Sequence, residues 1–161
     1  MRILVDADAT SRVKLVEKIA RQHHVPVTLF CDDSRLLESS YSEIVYCAIH
    51  RDSADMTLLN HCKKGDIVVT SDLGLAGIAL AKGARVIHGS GEILDNRKID
   101  MALYYRAMKQ KIRRNTKHTS QSRKVDFGDH PRGQFDFYGN LVRLVRTAEF
   151  VPSGDAGSGQ L

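Results

Sequence analysis

The chain has 161 residues, 42% of them hydrophobic, enough for one ordinary soluble domain with a real core. No apolar run approaches a membrane span, and the N-terminus enters a strand at once without a signal-peptide pattern, so a cytoplasmic protein is the expectation. The formal net charge of +5 is local: residues 106–124 hold eight Lys or Arg and no acid, leaving 16 basic against 19 acidic residues elsewhere.

Ile3-Leu4-Val5-Asp6-Ala7-Asp8 opens the chain. Its apolar run has the character of a buried parallel strand, and it stops on two carboxylates. Residues i and i+2 of an extended strand share a face, so Asp6 and Asp8 can meet beyond the strand's end, where open α/β sheets bind ligands. Either the pair holds a cation that offsets its mutual repulsion, or Asp6 ends the strand and Asp8 is a solvated turn residue.

Thr10 and Ser11 are candidate caps of a helix running to about residue 23, with Val13, Val16, Ile19 and Ala20 inward. Strands follow at 27–31 and 43–49, then a helix over 52–62 with Ala54, Leu58 and Leu59 inward, and a fourth strand at 67–69. A helix over 73–82 is closed by Gly83 and leads to a fifth strand at 85–88. After the Gly89-Ser90-Gly91 turn, residues 99–114 are helical, with Tyr104 and Tyr105 expected in the core. The basic helix end and loop at 105–132 come next. In the last helix Phe135, Tyr138, Leu141, Val142 and Val145 should face inward, with Arg143 and Arg146 outward. A single α/β domain over 1–150 is expected, with a mostly parallel sheet of about five strands, helices on both faces and a disordered tail at 151–161. Cys31, Cys47 and Cys62 form no C-x-x-C pair and are odd in number, so reduced, mostly buried thiols are expected.

Further aspartates fall near strand ends. Asp72 follows Val68-Val69-Thr70-Ser71 and either caps the next helix or joins the first pair; Asp52 and Asp55 either form a capping pair or extend the same cluster. A cap needs one acceptor, whereas a divalent ion with several oxygen ligands needs a group of this size.

Val5-Asp6-Ala7-Asp8-Ala9, Pro26-Val27-Thr28, Asp52-x-Ala54-Asp55, Gly65-Asp66-Ile67-Val68-Val69-Thr70-x-Asp72-x-x-Leu75-Ala76, Lys82-Gly83-Ala84, Gly91-Glu92, Ile99 and Arg106 together resemble the YaiI/YqxD family of small bacterial proteins. The resemblance covers residues 1–145. It implies a PIN-like domain, whose acidic clusters bind Mg²⁺ or Mn²⁺ for RNA cleavage. The chain departs from the family pattern after Ala9, where Thr10 and Ser11 replace a Cys-Pro and Lys14 stands one place late, about 100° around a helix. On this resemblance the metal ligands and catalytic residues are Asp6, Asp8, Asp55 and Asp72. Asp52, Thr70 and Ser71 stand behind them. By its charge the basic stretch with Arg106, Arg113, Arg114 and Lys117 is either a solvated helix end and loop or a patch that holds an RNA or single-stranded backbone. Two alternatives remain: a haloacid-dehalogenase-type phosphatase, suggested by Asp6-x-Asp8 and Thr70, and a non-catalytic metal- or RNA-binding module. Oligomeric state has no signature in the sequence.

Overall fold

The computed structural model describes residues 1–34, 36–48, 53–116 and 135–149. Six strands form one sheet in the order β3-β2-β1-β4-β5-β6: β1 Ile3–Asp6, β2 Val27–Asp32, β3 Glu43–Cys47, β4 Ile67–Val69, β5 Arg85–Ile87 and β6 Ile93–Leu94. All neighbours are parallel except β5 and β6. The helices are α1 Val13–Gln22, α2 Ser53–His61, α3 Leu73–Ala81, α4 Asn96–Thr116 and α5 Phe137–Glu149.

The central strands are apolar throughout because both faces are covered. Ile3, Val5, Ile67 and Val69 pack with Val16, Ile19, Leu141 and Val145 of α1 and α5. Leu4 and Val68, one residue out of phase, pack with Leu58 and Leu59 of α2, Leu75, Ala76 and Ala79 of α3 and Ile99 of α4. At the amino edge of the sheet, buried Asp66 accepts from Arg2 N at 3.0 Å and Lys63 N at 3.1 Å and pairs with the Arg2 guanidinium at 3.2 Å. This carboxylate fixes the register of β1 against β4, where Ile3 sits opposite Ile67.

Strand order decides where ligand chemistry can occur. The chain builds outward from β1 through β2 to β3, crosses back by α2, and builds the other way through β4 and β5. The reversal falls between β1 and β4, so their carboxyl ends flank the crevice of the sheet. Because α1, α2 and α3 each return the chain from a strand's carboxyl end, their positive N-termini point to this same edge.

Several expectations need correction. The mostly parallel α/β sheet is as expected, with one strand more than the five read from the sequence: β6 is two residues long, too short for any periodic signal, and antiparallel after the turn closed by His88 N to Glu92 O. Thr10 and Ser11 do not cap α1; Arg12 occupies that place without a side-chain cap, while Thr10 Oγ1 accepts from Arg12 N at 3.2 Å. In α5 the buried positions are Phe137, Leu141, Leu144 and Val145, and Tyr138 is exposed. Leu141 and Val145 are inward and Val142 packs against the core as expected, with Arg143 and Arg146 outward; Tyr138 is the position misassigned, and Phe135 precedes the helix, which begins at Phe137. Tyr104 and Tyr105 are exposed rather than core. The three cysteines are buried free thiols, as expected. Asp52, Lys117, the basic loop after α4 and the tail at 151–161 lie outside the described residues. Among the described residues no helix is long and apolar enough to cross a membrane.

Candidate active site

β1 ends at Asp6, whose side chain is 4% exposed. Its Oδ2 accepts from the fully buried Thr70 hydroxyl at 2.9 Å, and its Oδ1 from Ala9 N at 3.3 Å. Thr70 directly follows β4, and its Oγ1 also accepts from Asp72 N at 3.0 Å. One hydroxyl therefore ties the carboxyl end of β1 to the turn that launches α3. Asp72 caps that helix, its Oδ1 accepting from Gly74 N at 2.7 Å and Leu75 N at 3.1 Å. Both bonds use the same oxygen.

Asp8 is placed differently from its i, i+2 expectation. The strand stops at Asp6, so face-sharing does not extend to Asp8, whose Oδ2 accepts from Asp32 N at 2.8 Å at the end of β2. Asp6 thus turns to the β4 side and Asp8 to the β2 side of the same strand end. They still interact. Burial pushes the Asp6 carboxyl above its ordinary pKa, the Thr70 and Ala9 hydrogen bonds pull it back, and the charges of Asp8 and Asp72 push it up again. The charges of Asp8 and Asp72 are thus felt at Asp6, though less than its burial. Asp55 lies in the first turn of α2, at the same edge of the sheet by topology.

Three loops close over this end. Arg12 Nε donates to Gly89 O at 3.3 Å, and its guanidinium lies 5.6 Å from the centre of the Phe137 ring. A Cβ on Gly89 would stand 2.5 Å from Ser71 Oγ and 3.4 Å from Thr10 Oγ1, so glycine lets the loops after β1, β4 and β5 meet. Gly91 has φ +99° and lies against the backbone of Phe137, where a Cβ would come within 2.8 Å of its nitrogen. Thr10, Arg12 and Gly89 were not singled out as site residues from the sequence. Only Gly89 carried a usable signal, a glycine directly after a strand. Ser71 is exposed beside Asp72.

As donors, the carboxylates suit a hard divalent ion, and the raised proton affinity of buried Asp6 is what a cation beside it would reverse. The arrangement is open: among the described residues no three His, Cys, Asp or Glu side chains form a group that could hold a metal ion. Of the expected nucleic-acid contacts, Arg106 is exposed on α4, and Arg113 and Arg114 fall in the last two turns of that helix.

A family model described as "Uncharacterized BCR, YaiI/YqxD family" matches residues 4–146. The chain is 45% identical over 149 residues to a "UPF0178 protein" of Clostridium tetani, covering 92% of this chain and 99% of that one. A "UPF0178 protein" of Lachnoclostridium phytofermentans is 39% identical over 150 residues, covering 91% and 98%, and one of Clostridium kluyveri is 37% identical over 155 residues, covering 96% and 99%. No solved structure is a significant match.

Proposed function

The chain belongs to the YaiI/YqxD family, and from that premise we propose that it is a divalent-metal-dependent phosphodiesterase with a PIN-like fold, acting on RNA or another single-stranded nucleic acid. The observation supporting this proposal is that Asp6 ends β1 and Asp72 follows β4, the two strands whose carboxyl ends flank the sheet's crevice, with Asp8 two residues beyond Asp6. Asp6, Asp8 and Asp72 would hold Mg²⁺ or Mn²⁺, with Asp55 approaching from α2. Such ions accept carboxylate oxygens and keep several waters, which suits an open set of ligands. When bound, the ion supplies a water of lowered pKa and neutralises charge on phosphoryl oxygens.

The chain's own residues have separate tasks. Thr70 holds Asp6 in place and fixes the backbone before α3, and exposed Ser71 is positioned to orient a water. The N-termini of α1, α2 and α3 favour an anionic phosphate at an edge that the aspartates would otherwise make repulsive. Arg106, Arg113, Arg114 and Lys117 hold the backbone without reading bases.

One observation favours a second reading, a non-catalytic binding module: Asp8 and Asp72 already serve backbone N–H groups, and the described carboxylates close on no common point. A phosphatase using Asp6 as nucleophile is disfavoured because that side chain is buried with both oxygens hydrogen-bonded. Labelled single-stranded RNA and a phosphomonoester, each incubated with Mn²⁺, with Mg²⁺ and with chelator, separate the three. Metal-dependent RNA cleavage that falls at least about 100-fold in Asp8→Asn, with RNA binding retained or tightened, is the expected result. Cleavage surviving that change at the wild-type rate would refute the site.

A further inference from the structure

α4 is anchored near its start and exposed beyond it. Asp95 begins the helix, accepting from Lys98 N at 2.9 Å, and Ile99 packs among the side chains of α2 and α3. Past that point Met101, Tyr104, Tyr105 and Met108 are exposed, Tyr104 by 61% and Tyr105 by 47%. Their spacing of i, i+3, i+4 and i+7 puts them in one stripe along the helix. The two tyrosine rings stand edge to face, 6.1 Å apart. Lys111 is exposed about 70° around the helix from the stripe and Arg106 about 150° from it, and the helix carries seven basic residues and one acid.

Charge selects the occupant of this stripe. A second copy of α4 would bring two strongly basic helices together, at a repulsive cost. A lipid surface suits apolar side chains confined to one face, and Leu103, also exposed, lies about 150° around the helix from the stripe. A nucleic-acid single strand meets both features at once, its phosphates neutralising the basic side chains and its bases stacking on exposed aromatic faces. We propose that Tyr104 and Tyr105 are base-stacking residues and that α4 is a grip for unpaired nucleic acid. The proposal rests on nucleic acid as the ligand class assigned above, not on cleavage.

The test uses the full chain in chelator, so that chemistry plays no part, and reads anisotropy of a labelled oligouridine and of a duplex of equal phosphate number. Tyr104→Leu/Tyr105→Leu keeps the helix former and the apolar surface while removing the stacking faces. It should weaken oligouridine binding about 10-fold per tyrosine, leave duplex binding unchanged, and leave the salt slope as it was. Arg106→Gln/Lys111→Gln should instead weaken both ligands and lower the slope on the single strand by about 1.4. Single-strand affinity unchanged in the leucine variant, equal losses on both ligands, or no binding by wild type would each overturn the proposal. So would a concentration-dependent dimer that oligouridine does not dissociate, which would assign the stripe to a second copy. Stacking that persists in a protein without metal-dependent cleavage would instead refute the catalytic reading alone.

Discussion

Replacing Thr70 by Val keeps the side chain's volume and removes one buried hydroxyl, which costs Asp6 a donor and Asp72 N an acceptor. A hydrogen bond to a charged group contributes about 1.5–3 kcal/mol, so Thr70→Val should lose about 2 kcal/mol, or about 4–8 °C in Tm, by calorimetry. The deficit should shrink at low pH, where Asp6 is protonated and the charge-assisted bond is gone. The sign for Asp6 itself follows from its raised folded pKa. The folded state binds the proton more tightly than the unfolded chain, so Asp6's contribution to stability falls as pH rises through the ordinary carboxylate range to the folded value. Above that window the cost is complete. In metal-free protein the Tm of wild type minus that of Asp6→Asn should therefore decrease with rising pH across the window, and a difference that increases would contradict the burial argument. Asp6 and Asp72 were legible from the sequence because each follows an apolar run. Thr10 and Arg12 were not, because their roles depend on loops that meet only after folding.

α1 and α3 end with the same backbone device and different residues. After α3, Gly83 at φ +83° donates to Leu80 O and Ala84 N reaches Ala79 O; after α1, His24 at φ +54° donates to Arg21 O and Val25 N reaches Ala20 O. A non-glycine residue in this left-handed conformation is strained by about 1–2 kcal/mol, partly offset because glycine loses more entropy on folding. His24→Gly should accordingly raise stability by about 0.5–1 kcal/mol, whereas Gly83→Ala should lower it by about 1–2 kcal/mol and also push on Lys64, whose Cγ would lie 2.9 Å from the new Cβ. Chemical denaturation of both variants checks the pair, and a destabilised His24→Gly would show that the imidazole has a stabilising contact outweighing its strain. At this scale sequence periodicity served well for α1, α3 and the four inner strands, where burial on one or both faces imposes a pattern. It also found α4 and α5 but misplaced Tyr104, Tyr105 and Tyr138, which are exposed, because an aromatic side chain alone does not say which face of a helix is covered.

Across the molecule, charge is unevenly spread: Asp6, Asp8 and Asp72 lie at the carboxyl ends of β1 and β4, and the basic excess of the sequence falls on α4 and the residues after it. Negative groups at an edge fed by three helix N-termini, together with a separate cationic helix, suit a ligand that is itself an anion bridged by a cation. The order of strands was legible only in part, since alternation of strand and helix implies a parallel sheet but not which strands become neighbours. The reversal between β1 and β4 is what brings two distant Asp motifs to neighbouring strand ends. The central claim is that this group holds a divalent ion, and calorimetry with Mn²⁺ or chelator tests it directly. An ion bound only by the folded state at roughly a hundred times its Kd adds about 2.7 kcal/mol, so wild type should gain about 5–10 °C in Tm. Asp6→Asn/Asp72→Asn, in which asparagine still caps α3, should gain nothing. A wild type that gains nothing from millimolar Mn²⁺, or a double variant that gains as much as wild type, would contradict it.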